Sequence, residues 1–404
     1  MQHVAIDLGG RESQICIRNP KNEIVREGRI PTLKLAEFFT SLEKPSLIIM
    51  ETCSEAFAIA AQAKAAGHDV RVVASTLVRA LGVGRRGIKT DQRDARCLSE
   101  ASVRSDLDSV HIPSELAKEM KTACAMRAVL VRSRTAIINS VRGWGRAKLL
   151  RPKGGAAATF PQRIRQHLAT TSVEVPPYVE RQLLAVEALT EQIQAADDEV
   201  EELAKNNPQA KLLMSIPGVG PIIAIYFLAT IDTLERFKSA HQLESYLGLT
   251  PGEQSSSESK HRTGITKAGG APVRALMVQA AWSAVRTRPN DPMVLWMREL
   301  AARNGKKNVA IIALARKMVG VMFALLRDGS SYQPGRASTV RKTSAPPVPI
   351  AEGADVLEMA REAMDEDISA PSPLPSRSRA PKPSPAVRRT RARRVSQAEA
   401  PARP

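Results

Sequence analysis

At 404 residues with 43% hydrophobic side chains, the chain is long enough for two or three domains with real cores. Its formal net charge of +18 points to a polyanionic partner, nucleic acid by default, and no apolar run approaches the ~18 residues expected of a membrane span. Aromatic residues are only 3% of the chain, too few for base-stacking platforms, so Arg and Lys contacts to backbone phosphates are expected to dominate.

Cys16, Cys53, Cys97 and Cys124 show no C-x-x-C spacing and the N-terminus starts at once with an apolar strand pattern, so a reduced, cytoplasmic protein without structural zinc is expected. Residues 3–8 (HVAIDL) form that strand and end in Gly9-Gly10. Ser13 to Arg18 and Glu23 to Ile30 alternate around an Asn19-Pro20-Lys21-Asn22 turn, which predicts a three-stranded meander. A helix is predicted through Leu33, Leu35, Phe38, Phe39 and Leu42. Ser46 to Glu51 is then a continuous apolar run closed by an acid, the pattern of a buried central strand. An Ala-rich helix to Ala66, a turn at Gly67-His68 and a fifth strand over Asp69 to Ala74 follow. A basic loop (Arg85, Arg86, Lys89) leads into Thr90-Asp91-Gln92-Arg93-Asp94, where two acids three residues apart share the first turn of a helix. Those acids can simply be favouring a helix N-terminus. Asp7 and Glu51, however, also lie at strand ends, where an α/β sheet carries its chemistry. Four carboxylates converging on one point need cations between them, which describes a two-metal site.

The order β-β-β-α-β-α-β-α is similar to that of a ribonuclease H-like fold. With Asp7, Glu51, Asp91 and Asp94 in these places, the chain resembles the RuvC-like DEDD domain of the transposases of insertion sequence family 110. Ala5-Ile6-Asp7-Leu8-Gly9-Gly10 also looks like the first phosphate loop of actin-like sugar kinases, but nothing after residue 105 repeats the pattern such a kinase needs.

From about residue 115 long helices are predicted. A core stripe (Leu116, Met120, Cys124, Ile138, Val141) and many cations, among them Arg127, Arg132, Arg134 and Arg142, share one segment that carries few acids. A nucleic-acid contact is expected there, against a plain solvated face as the alternative. Val186, Leu189, Ile193, Ala196, Val200 and Leu203 form an a/d seam that suits either an intramolecular hairpin or a dimer. Ile216-Pro217-Gly218-Val219-Gly220-Pro221 resembles a helix-hairpin-helix motif, with Gly218 and Gly220 letting the backbone approach a phosphate; the plain helical turn remains the alternative.

The stretch from Tyr246-Leu247-Gly248-Leu249-Thr250-Pro251 through Ser255-Ser256-Ser257 to Ile265-Thr266-Lys267-Ala268-Gly269 reads locally as a polar loop ringed by Lys260, Arg262, Lys267 and Arg274. The same family carries a G-L-x-P, S-[S/T]-G and I-[T/S]-K-x-G signature around a nucleophilic serine. Its first and last parts match here, and the spacing puts the serine on Ser255; Ser257 stands where the family commonly has Gly, which leaves Ser256 open. The resemblance covers roughly residues 3 to 334. It implies a DNA transposase with Mg²⁺ on Asp7, Glu51, Asp91 and Asp94, a serine nucleophile, a non-coding guide RNA and a homo-oligomer, dimer or tetramer, with no membrane. The fold class expected is α/β plus all-α: a RuvC-like domain at 1–105, a helical coiled-coil domain at 106–210, a mainly helical serine transposase domain at 211–334, and a disordered basic tail at 335–404 with a short acidic helix over Asp355 to Asp367. Two other classes stay in view, a metal-dependent junction nuclease using water and a non-catalytic nucleic-acid-binding protein.

Overall fold

Strand β1 (His3–Asp7) lies at the centre of a five-stranded sheet of order β3-β2-β1-β4-β5. The chain returns through a tight turn into β2 (Glu12–Arg18) and again into β3 (Ile24–Pro31), both antiparallel; the Asn19 side chain accepts from the Lys21 and Glu23 amides, 3.0 Å each, and holds the second turn. Parallel pairing needs a crossover. Helix α1 (Leu35–Ser41) supplies it before β4 (Leu47–Glu51), and α2 (Ala56–Ala65) before β5 (Asp69–Val73). Short α3 (Ser75–Ala80) then precedes α4 (Asp91–Arg104). The computed structural model describes residues 1–80, 90–171, 173–256 and 259–335, so Arg85, Arg86, Lys89 and the predicted basic tail with its acidic helix lie outside the described residues.

Alternation along the strands sorts the two faces. Val4, Ile6, Ile48 and Met50 pack with Phe38, Phe39, Ile59 and Ala60 of α1 and α2. Ala5, Leu47, Ile49 and Val73 face the other way, onto Leu98 and Ala101 of α4. Both faces are covered, which is why Val4 to Ile6 of β1 and Leu47 to Met50 of β4 are apolar without a break. The helix predicted from Leu33 starts at Leu35 instead: Leu33 lies in a single 3-10 turn (Thr32–Lys34) and is 98% exposed, while Leu35 and Phe39 are buried.

After the sheet come α5 (Glu115–Ala147), α6 (Phe160–Ala169), α7 (Pro177–Asn206), α8 (Pro208–Met214) and α9 (Pro221–Ile231). Helices α5 and α7 pack along each other, and Val186, Ile193 and Val200 of the seam are buried there. The seam is therefore satisfied within one chain. Arg165 of α6 bridges Glu180 at 2.6 Å and Glu187 at 2.5 Å on α7. The apolar α9 packs on both long helices, so these elements form one compact unit with the sheet, Met1–Ala240 with Val321–Tyr332.

The second unit begins at His241. It holds nearly all of α10 (Ala240–Tyr246), the hairpin β6 (Pro251–Ser256) and β7 (Ser259–Ile265), then α11 (Ala271–Thr287), α12 (Pro292–Asn304) and the first part of α13 (Lys307–Asp328). Helix α13 corrects the expectation about apolar runs. It is long and apolar enough to cross a membrane, but half of its most apolar stretch is buried inside the protein, as in a core helix.

One carboxylate ties the chain leaving the sheet to the helical layer. Asp232, at φ 59°, accepts from the Ser114 amide (2.9 Å) and hydroxyl (2.6 Å) and lies 2.6 Å from His111 Nε2. Burial opposes its charge, yet the bonds from Ser114 and His111 together hold the carboxyl below its ordinary value. A group depressed in this way stabilises the fold fully above about pH 4 and loses that contribution as the pH falls through its folded-state pKa. Asp232→Ala is expected to cost about 3 kcal/mol at neutral pH in urea unfolding. Asp232→Asn should flatten the loss of stability below about pH 4 relative to wild type.

Candidate active site

The carboxylates at the sheet edge follow from strand parity. On β1, His3, Ala5 and Asp7 point to the α4 face; on β4, Leu47, Ile49 and Glu51 do. The parallel register pairs Ile6 with Met50, so Asp7 and Glu51 come next, side by side at the ends of neighbouring strands. Helix α4 runs back along β1: Ser102 Oγ lies 3.2 Å from His3 Nδ1, Leu98 shares a core cluster with Ala5, and Asp94 is one turn further on in the direction of the strand's Asp7 end. Small side chains allow this close approach, since Ser99 also accepts from Arg18 Nε at 3.0 Å and sits on Cys16. Asp94 is 8% exposed, and its charge together with burial and Glu100 pushes the Cys97 thiol up, burial being the largest cause. Asp7 and Glu51 are half-buried.

Asp91 stands apart from these three. It is exposed at the first position of α4, whose cap is Thr90 Oγ1 accepting from the Arg93 amide at 3.4 Å, and it lines a cleft with Arg11, Glu12, Gln14, Arg29 and Pro31. Sequence reading passed over Arg11, Gln14 and Arg29; the usable signal was register, because Gln14 pairs with Asp7 across β1 and β2. Carboxylate oxygens without thiolate or imidazole suit a hard divalent cation. Among the described residues, however, no three His, Cys, Asp or Glu side chains are gathered closely enough to hold one ion. Gly9 has a structural reason: a Cβ there meets the Glu12 carbonyl oxygen at 2.2 Å, so the β1–β2 turn itself requires glycine.

The arginines of α5 divide. Arg127 pairs with Asp197 of α7, and Arg134 donates to Thr190 at 3.2 Å; burial, then the Arg127 charge, lowers the Arg134 pKa. Both of these cations, expected to contact nucleic acid because their own segment carries few acids, find partners on α7, far along the chain. Arg142 is half-buried with its guanidinium 5.5 Å from the Phe160 ring. Arg132 is exposed, and at about 100° per residue it shares a stripe some 40° wide with the exposed Lys121 and Arg146. In the turn between α8 and α9, Gly218 is at φ 83° and the Val219 amide bonds to the Ile216 carbonyl at 3.1 Å, whereas Gly220, which caps α9, has φ −100° and open space where a Cβ would stand.

In the second unit, the stretch read as a polar loop is a β-hairpin. Ser255 pairs with Lys260, Ser256 with Ser259 and Glu253 with Arg262, which places Ser255 next to the hairpin end; Ser257 lies outside the described residues. The outer motif segments clasp each other at its base. The Thr266 amide bonds to the Thr250 carbonyl at 2.9 Å and the Lys267 amide to the Gly248 carbonyl at 3.2 Å. Lys267 is exposed there at φ 52°. Arg274 is only 5% exposed and donates to the Gly269 carbonyl at 3.1 Å, so it braces the clasp instead of facing a phosphate as expected.

Two family models match the chain: a transposase model of the DEDD type of IS110 over residues 4–144, and one described as the IS116/IS110/IS902 transposase family over residues 210–293. A DEDD-type domain suggests dependence on a divalent metal. Among similar proteins, a probable family 20 transposase of Pseudomonas aeruginosa is 27% identical over 83% of this chain and 99% of its own length. The transposase for insertion sequence element IS1111A of Coxiella burnetii is 28% identical over 82% and 91%, and that for IS1328 of Yersinia enterocolitica is 26% identical over 81% and 98%.

The second matched region contains the clasp, whose closeness is testable. A Cβ on Gly269 meets the Tyr246 carbonyl oxygen at 2.2 Å, whereas one on Gly270 makes only an ordinary 3.7 Å contact with Val273. Gly269→Ala is expected to open the clasp, with faster proteolysis between residues 246 and 270 and a stability loss of about 3 kcal/mol or more. Gly270→Ala should stay within about 1 kcal/mol of wild type.

Proposed function

Because the chain belongs to the IS110 family of transposases, we propose that its part in DNA transposition is a serine-initiated, metal-assisted strand transfer directed by a non-coding RNA. The observation that carries this reading is the shared edge: Asp7, Glu51 and Asp94 are brought to one side of the sheet by strand parity and by α4 stepping along β1. These three, which would have to be drawn closer together to share an ion, and Asp91 from the first turn of the same helix as Asp94, would hold Mg²⁺, two ions being the usual number for such a carboxylate set. Bound there, the cation supplies charge neutralisation at the attacking and leaving oxygens.

The chain's own groups do the remainder. Ser255 Oγ attacks phosphorus, the Oγ–P bond forms as the phosphodiester P–O bond breaks, and the hydroxyl proton leaves to a base or solvent. The phosphodiester energy is kept in the protein–DNA ester, which a DNA hydroxyl later reverses. Lys260, Arg262 and the exposed Lys267 neutralise the phosphate. Arg132 and its stripe, with the amides at Gly218 and Gly220, bind backbone phosphate. A large net positive charge without a recognisable base-reading motif in the sequence fits sequence choice delegated to RNA, and a homo-oligomer, dimer or tetramer, fits the need to hold more than one DNA end.

The protein purified with its bound RNA, incubated with Mg²⁺ and duplexes carrying element ends, is expected to yield DNA that stays covalently attached after denaturation. Ser255→Ala should abolish the adduct; an adduct that persists moves the nucleophile to Ser256, and cleavage without any adduct means that water attacks. Asp7→Asn and Asp94→Asn should each lower the cleavage rate roughly 10²–10³-fold with the fold retained. Full activity in both would end the metal reading.

A further inference from the structure

The end of α5 carries a residue that stability does not explain. The helix closes in a Schellman turn: the Leu150 amide bonds to the Gly145 carbonyl at 2.9 Å and the Leu149 amide to the Arg146 carbonyl at 3.0 Å. Leu149 thus occupies the left-handed position, at φ 60°, where glycine is the ordinary residue. Helix α2 ends in the same pair of bonds, His68 to Ala63 and Gly67 to Lys64, and there the position is Gly67 at φ 89°. Of the non-glycine residues with positive φ among those described, Asn22 is a type that tolerates the region, Asp232 is held by its bonds to Ser114 and His111, and Lys267 by the clasp; Leu149 alone is apolar. It is also 84% exposed, while its neighbour Leu150 is 7% exposed and does the packing.

A strained backbone that presents a bulky apolar side chain to solvent calls for a use outside the fold. The surroundings say what kind. Arg146, Lys148, Arg151 and Lys153 are all exposed and the segment 146–155 contains no acid, so the leucine stands at the tip of a purely cationic turn, where the Lys121–Arg132–Arg146 stripe ends. Cations that hold phosphates on either side of one projecting apolar side chain are the parts of a wedge that enters a base step from the minor groove. We propose that Leu149 is such a wedge, inserted between base pairs of duplex DNA while Lys148 and Arg151 hold the flanking phosphates. Insertion opens and bends the step, which prepares a duplex for strand exchange. The proposal rests on the reading that the protein acts on DNA, but needs neither the carboxylates nor the serine.

The test is binding without divalent metal, so that failure of the catalytic reading leaves it untouched. The full chain is titrated with duplexes bearing 2-aminopurine at successive TA and CA steps, whose fluorescence rises on unstacking. Wild type and Leu149→Met are expected to raise it several-fold at some step. Leu149→Gly and Leu149→Asn, both suited to the left-handed position, should bind with little or no rise, and Leu149→Gly should also melt roughly 2–4 °C higher. Lys148→Ala with Arg151→Ala should reduce the slope of log K against log salt by about two. Equal fluorescence across all four Leu149 forms overturns the proposal. So does Leu149-dependent binding to phosphatidylserine vesicles with a duplex response indifferent to Leu149, which would make the tip a membrane contact.

Discussion

The parallel pairing of β1 with β4, with α4 laid back along β1, is the constraint from which the rest of the active edge follows. Because the register is fixed by buried Ala5, Leu47 and Ile49 on one face and Val4, Ile6, Ile48 and Met50 on the other, a slip of one residue would move apolar side chains into the wrong layer. Asp7 and Glu51 are therefore placed by the core. Asp94 is placed by helix pitch: Ser102, Leu98 and Asp94 descend α4 four residues at a time, about 6 Å of helix, against His3, Ala5 and Asp7 two residues at a time, about 6.6 Å of strand. The near equality of those steps keeps helix and strand in phase from the Ser102–His3 contact to the cluster that Leu98 shares with Ala5.

Much of this was legible in the sequence. Strand patterns and the acids that close them are local signals, and the sheet order adds only the rule that short turns give antiparallel neighbours and helical crossovers parallel ones. What was not legible depended on partners distant in the chain. Arg127 and Arg134 looked like solvent-facing cations because their own helix offers few acids, but Asp197 and Thr190 of α7 meet them. Arg274 looked like a phosphate ligand because it follows a basic stretch; its burial comes from the clasp at Gly248 and Gly269, which composition does not reveal. The serine segment is rich in turn-forming residues and read as a loop, yet Thr250 and Thr266 pair its ends and carry it into a hairpin.

The same pairing decides which cations on α5 remain for a polyanion. Arg127 and Arg134 are seven residues apart and so fall within about 20° of each other, on the side that α7 covers. The Arg127–Asp197 ion pair and the Arg134–Thr190 hydrogen bond contribute modestly to stability when partly exposed. Their larger effect is on distribution. By engaging those two side chains, α7 leaves the exposed Lys121, Arg132 and Arg146 on a narrow stripe, separated by about 16 and 21 Å along the helix.

A cationic stripe that led nowhere would attract nucleic acid without organising it, since charge alone neither fixes register nor deforms a duplex. Here it ends at a helix terminus where an exposed apolar side chain has replaced the expected glycine. Gly145, Arg146 and Leu150 close the Schellman turn around Leu149, so its strained conformation is held by the same backbone bonds that end the helix, and these set the direction of its Cα–Cβ bond while the side chain is 84% exposed. Rigid presentation lowers the entropy lost when such a group enters a base step. The strain is thus carried by a helix end whose other bonds are intact, while the carboxylate edge is built on the unstrained centre of the sheet.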